Sequence, residues 1–235
     1  MVISLEKDKF LENGAGVIFE NANMIVVNKP SGVACQGTKN AENSGLDEVL
    51  KQRLNKEIYV IHRLDTGVSG LVCFGKSQRA AAELSRMIQD GGFAKEYLAV
   101  VLGETPENGH LEDYLFKNQR LNLSKIVQKG TAGATLAVLN FERLSVVTHG
   151  SQLLSLLKIN LLTGRHHQIR VQMANQGWSI WGDVKYGKRG IVYEKNSKIA
   201  LFSHKLTFQL MEQAFCFELF PENQVPFNLF ELSAN

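Results

Sequence analysis

Val60-Ile-His-Arg-Leu-Asp65-Thr-Gly-Val-Ser-Gly70-Leu-Val-Cys-Phe74 is the stretch around which this chain is arranged. Apolar, β-branched runs enter at Tyr59–Ile61 and leave at Leu71–Phe74. The centre between them is too short and too rich in Gly and Ser for a helix. The pattern predicts two buried strands joined by a polar loop from His62 to Gly70. That loop sets one carboxylate, Asp65, beside one guanidinium, Arg63, on backbone held from both ends. Loops fixed by a rigid scaffold are where chemistry concentrates. The same residue types also make ordinary turns, and Asp commonly bonds its own backbone. On composition alone, Asp65 is a turn aspartate.

Working outward toward the N-terminus, Val17–Glu20 and Met24–Val27 flank an Asn-rich turn and predict a β-hairpin. Asn28-Lys29-Pro30-Ser31-Gly32 ends it, with Lys29 read as a solvated turn residue. Ser44 is the expected cap of a helix over about Leu46–Asn55, whose Leu46, Val49, Leu50 and Leu54 share a face. Beyond the loop, Ser77 caps a second helix with Ala80, Ala81, Leu84, Met87 and Ile88 on its apolar stripe, stopped by Gly91-Gly92.

Lys95 and Tyr97 then share one face at the entry of a buried strand, Leu98–Leu102. Residues 104–150 carry only pieces of strand pattern, at Lys125–Gln128 and Thr135–Val147. Several short strands in succession point to an antiparallel or mixed sheet, not to regular βαβ alternation. A strand then runs into Thr163-Gly164 and a short helix with Ile169, Met173 and Ala174 on its apolar side. Arg165 and Arg170 lie in or beside the first turns of that helix. The simplest reading makes them solvated cations, yet cations there oppose the helix dipole by roughly 0.3–1 kcal/mol each. That penalty hints at a compensating anion. Leu201–Phe208 and Ala214–Phe220 close the chain as two strands.

Composition narrows the class without naming it. At 235 residues with 44% hydrophobic and 21% charged content, the chain buries an ample core. A net charge of +3 permits a polyanionic partner and does not demand one. Cys35, Cys73 and Cys216 have neither disulfide nor zinc spacing and read as reduced thiols. His166 and His167 are adjacent, and neither has a ligand type at i+4, so no metal is expected. Met1–Phe10 lacks the pattern of a signal peptide, and no apolar run approaches the ~20 residues of a membrane span. The expected protein is soluble, intracellular and cytoplasmic, a single domain over residues 1–235 with a core at about 17–220, and a monomer by default.

His62-Arg63-Leu64-Asp65 followed by Ser69-Gly70 resembles the signature of the RluA-type pseudouridine synthases, which isomerise uridine within RNA. Val68 stands where that pattern has a threonine. Val26-Val27-Asn28-Lys29-Pro30-Ser31-Gly32 resembles the family's opening, with Cys35-Gln36 in place of its His-Pro. Lys95-Glu96-Tyr97-Leu98-Ala99 resembles its second motif and Gly164–Val171 its third. Gly182-Asp183 through Tyr186-Gly187 resembles a further loop, preceded here by Trp178-Ser179 instead of His-Pro.

The resemblance implies an α+β fold: a central mixed, largely antiparallel sheet with flanking helices and an RNA-binding cleft, without an added N-terminal domain. It implies that Asp65 acts as nucleophile or base, that Tyr97 lies against the uracil, and that Arg170 pairs with the carboxylate. His62, Arg63, Lys95, Arg165 and Lys29 are the candidate RNA contacts, with Asp183 structural. The isomerisation adds no atoms, so no cofactor or metal is expected, and the partner is ribosomal or transfer RNA. The alternative is an RNA-binding or RNA-folding protein on the same scaffold with little isomerase activity. A nucleoside hydrolase is the remaining rival, and it normally needs a second facing carboxylate.

Overall fold

The computed structural model describes residues 10–37, 44–187, 197–221 and 225–232. The leader expectation concerns residues 1–9, which lie outside the described residues. Contacts gather the chain into two compact units: residues up to Ala94 together with Phe202–Leu219, and Lys95–Leu201 together with the residues from Phe220 onward.

The first unit is built on strands β1 (Gly16–Glu20), β2 (Met24–Lys29), β3 (Tyr59–Val60) and β4 (Ser69–Gly75), with helices α1 (Leu46–Leu54) and α2 (Gln78–Asp90). β1 and β2 form the expected hairpin, and Asn21 Oδ1 accepts from the amides of Asn23 and Met24 to close its turn. β2 and β3 each pair antiparallel with β4, so the polar stretch between β3 and β4 is indeed a loop hung from two strands. β10 (Leu201–Leu210) returns late in the chain, runs parallel to β4 at Ser69 and Gly70, and pairs antiparallel with β11 (Gln213–Glu218). Gly70 is required there: its φ is +111°, and a Cβ would lie 2.4 Å from the Ser203 carbonyl oxygen. Leu71, Cys73, Leu84, Phe93, Phe208 and Phe217 belong to the core of this unit.

Ser77 caps α2 as expected, accepting from Ala80 N at 3.2 Å, and Gly91 ends it in the left-handed conformation. α1 differs from expectation at its start. Its cap is Gly45 and not Ser44, and the Gly45 amide donates to the Glu48 carboxylate at 3.2 Å. A side chain at 45 would meet Gly37 N at 2.0 Å, so close backbone approach outweighs capping propensity.

The second unit holds β5 (Ala94–Leu102), β6 (Asn108–Asn118), β7 (Leu123–Val127), β8 (Thr135–His149), β9 (Gln152–Leu161) and α3 (Gln168–Asn175). The strand order β5-β9-β8-β6-β7 is antiparallel throughout. Leu115, Ala137 and Val171 join strands to helix in its core. With antiparallel ladders in both units, a parallel pairing of β10 with β4 and flanking helices, the α+β expectation with a mixed, largely antiparallel sheet is met. Among the described residues no helix is long and apolar enough to cross a membrane.

Candidate active site

The His62–Ser69 loop is braced from beneath by the segment that follows β2. Lys29 Nζ donates to the carbonyls of Pro30, Val33 and Thr66 at 3.0, 2.7 and 3.2 Å. The Gly32 amide also reaches Thr66 O, and Ser31 Oγ reaches Gly67 O, both at 2.8 Å. Cys35 engages Leu64 twice, its thiol donating to the carbonyl at 3.6 Å and its sulfur accepting from the amide at 3.3 Å. Inside the loop, Val68 N donates to Asp65 O at 3.0 Å. Each carbonyl from Leu64 to Gly67 is therefore held, and the Asp65 carboxylate stands half-buried on a pinned frame.

This overturns the reading of Lys29 as a solvated turn residue: it is wholly buried. Its long stem crosses the core to carry the ammonium to three converging carbonyls, which satisfy a charge that burial would otherwise penalise. Burial lowers its pKa to about 8, opposed by attraction to Cys35 and Asp65. The lowered value sets a pH window. Unfolded Lys29 returns to 10.5 and binds more protons than folded Lys29 between about 8 and 10.5, so the native state gains stability as pH rises through that interval. Chemical denaturation from pH 7 to 10.5 is expected to show that gain in the wild type and to lack it in Lys29→Met. Parallel profiles would refute the assignment.

Two departures from the family pattern find their place in this loop. Val68 is buried, so an apolar side chain of threonine shape suits the site. Cys35 grips Leu64 as described, and Gln36 Oε1 accepts from the exposed Arg63 at 3.4 Å. His62 accepts the Cys73 amide on Nε2 at 3.0 Å, with its ring 5.4 Å from that of Phe93, so it ties the loop to β4.

The other candidates lie in the second unit. Lys95 and Tyr97 are both buried on β5, Tyr97 opposite Ile159 of β9, and burial lowers the Lys95 pKa. Arg165 is exposed and donates through Nε to Leu136 O at 2.8 Å. Arg170 is not a solvated helix cation. It is buried, and its guanidinium binds Asp183 through Nε at 2.7 Å and through a second nitrogen at 2.9 Å. Asp183 is an anion of the kind the helix-dipole argument hinted at, and its Oδ1 also accepts from the amides of Lys185 and Tyr186. The Tyr186 ring lies 5.3 Å below the Arg170 guanidinium. Tyr186 was not among the candidates, yet its hydroxyl bonds both Ser124 N and His167 Nδ1 at 2.8 Å. His166 stacks on His167 at 3.8 Å and bonds Ser124 and Asn122, so the two histidines serve a polar network. Ser179 donates to Tyr186 O at 3.4 Å, and Trp178 packs on Phe141.

The chain matches the family model described as RNA pseudouridylate synthase over residues 23–175. It is 29% identical over 213 residues to a ribosomal large subunit pseudouridine synthase C of Buchnera aphidicola, covering 88% of this chain and 63% of that protein. It is 30% identical over 182 residues to a tRNA pseudouridine synthase C of Haemophilus ducreyi, covering 73% of each. Among solved structures, human RNA pseudouridylate synthase domain containing 1 superposes with a TM-score of 0.75 at 20% identity, over 89% of this chain and 84% of that one.

Proposed function

Because the chain belongs to the RNA pseudouridylate synthase family, we propose that it isomerises uridine to pseudouridine within ribosomal or transfer RNA. The reaction breaks the bond from N1 to C1′, turns the uracil, and rejoins it through C5, which gives up its proton. The observation that carries this reading is the pinned Asp65 loop, with a buried ammonium at Lys29 that attracts the carboxylate. Holding a reactive group in one geometry lowers the entropic part of a barrier.

In this reading Asp65 serves as nucleophile at C1′ or as base toward C2′. Tyr97 takes the uracil and assists the C5 proton, and Arg170 supplies positive charge. A guanidinium has five N–H donors and Asp183 uses two of them, which is compatible with that role. Arg63, Lys95 and Arg165 are the RNA contacts of the reading, which also carries a cytoplasmic setting and a monomeric working form. The bonds of Lys29 and His62 favour bracing the loop over touching RNA.

The test is tritium release from RNA labelled at uridine C5, run separately on ribosomal and transfer RNA from cells lacking this protein. Release from one pool identifies the substrate class. No release from either, with RNA binding intact, favours an RNA-binding or RNA-folding role. Free uracil in place of pseudouridine favours a hydrolase.

A further inference from the structure

Charge is distributed unevenly along the chain. From Tyr114 to Phe141 there are four Lys and Arg residues, Lys117, Arg120, Lys125 and Lys129, and no acid. That stretch carries +4 out of a total of +3, leaving −1 for the rest. Such asymmetry marks a polyanion partner for the second unit.

The sheet shows where such a partner meets aromatic surface. Alternation along β6 turns Leu115 into the core beside Ala137 and Val171, and turns Tyr114 and Phe116 to the opposite face. Register sets Phe116 across from Lys125 of β7, and Tyr114 between Val127 of β7 and Leu136 of β8. Lys125 and Lys129 are exposed, and both rings are half-buried. Each ring has an ammonium over it: Lys125 Nζ is 5.9 Å from the Phe116 centroid, and Lys129 Nζ is 5.9 Å from that of Tyr114. Glu112 shares the face farther along β6, 3.9 Å from His110.

We propose that this face of the second unit is a stacking platform for single-stranded RNA. Two successive unpaired bases lie on Tyr114 and Phe116, and Lys129 and Lys125 swing from the rings to the adjoining phosphates. The choice of RNA rests on the pseudouridine synthase reading; the platform rests on the face itself. Residues i and i+2 of a strand stand about 7 Å apart, a spacing that seats neighbouring bases one per ring. At 5.9 Å each ammonium sits at the outer reach of a cation–π contact, so a base displaces it at little cost. Flexible lysine stems make that exchange possible without moving the backbone. Ring faces reward only bases that are unpaired, which separates this platform from a duplex-binding surface.

The experiment is fluorescence anisotropy with labelled oligouridylate of about twelve nucleotides, a length within the usual reach of such platforms. Titrations at several salt concentrations compare the wild type with K125Q/K129Q and with Y114L/F116L, which keeps apolar bulk in the strand. Losing two phosphate contacts is expected to reduce the slope of log affinity on log salt by about 1.4. Losing two stacking rings is expected to weaken binding by at least about tenfold and leave the slope in place.

The exposed lysine pair tests the idea even if the ring variant folds poorly. Wild-type slope and affinity in both variants would overturn the proposal. So would a wild type that binds duplex RNA or polyglutamate as tightly as the single strand. The readout is binding and not turnover, so the two readings fail separately. Absent tritium release sinks the enzyme reading alone, and unchanged binding with release intact sinks the platform alone.

Discussion

Asp65→Asn is expected to reduce pseudouridine formation by at least about 10⁴-fold, the scale seen when a reacting group is removed from a preorganised site. The substitution keeps shape and removes what the reaction uses. An amide is a poor nucleophile toward C1′ and a poor base toward C2′. The frame of the loop survives the change, because the bonds that pin it run to backbone carbonyls at Leu64, Asp65, Thr66 and Gly67. One electrostatic consequence reaches further. Asp65 raises the Lys29 pKa, so its neutralisation lets burial push that ammonium lower still. Tritium release on the responsive RNA pool checks the expectation, with melting temperature as the control for folding. Activity within tenfold of wild type would remove Asp65 from the chemistry.

The largest effect on stability is expected at Asp183. Its side chain is 1% exposed and that of Arg170 is 5% exposed, so the pair meets almost without water. Asp183→Asn takes its carboxylate from a buried guanidinium, and breaking such a buried pair costs about 3–5 kcal/mol. For a chain of this size that corresponds to a fall in melting temperature of about 6–20 °C. Arg170→Met combined with Asp183→Leu removes both charges and is expected to recover part of the loss. Recovery stays partial because Asp183 also caps the amides of Lys185 and Tyr186. A single-variant loss below about 1 kcal/mol would show that water reaches the pair.

Strands and helices with clean apolar periodicity were legible in the sequence. The opening hairpin, the loop between β3 and β4, the Ser77 cap and the Gly91 stop all stand where the residues placed them. β6 was not legible. His110, Glu112, Asp113 and Lys117 break its alternation, and only Leu111 and Leu115 mark its inward side as buried. Local pattern also could not identify partners distant in sequence. The dipole penalty at Arg170 hinted at an anion, and nothing local in the helix pointed to Asp183 as one. Lys29 read as solvated because nothing in Asn28-Lys29-Pro30 shows that Val33 and Thr66 carbonyls converge on its ammonium. The same holds for Cys35, whose partner Leu64 lies 29 residues away.

The parallel pairing of β4 with β10 has a consequence for the growing chain on the ribosome. β4 ends at Gly75 and β10 begins at Leu201, so 125 residues separate them. At ordinary rates of synthesis that interval lasts on the order of ten seconds. Until it closes, Ser69 and Gly70 lack the neighbours that β10 gives them, and Phe208 and Phe217 are missing from the core around Leu71 and Cys73. The nascent loop therefore waits, incompletely walled, for β10 and β11 to be made. A message cut short before β11 yields a product whose reactive loop was translated early and never set.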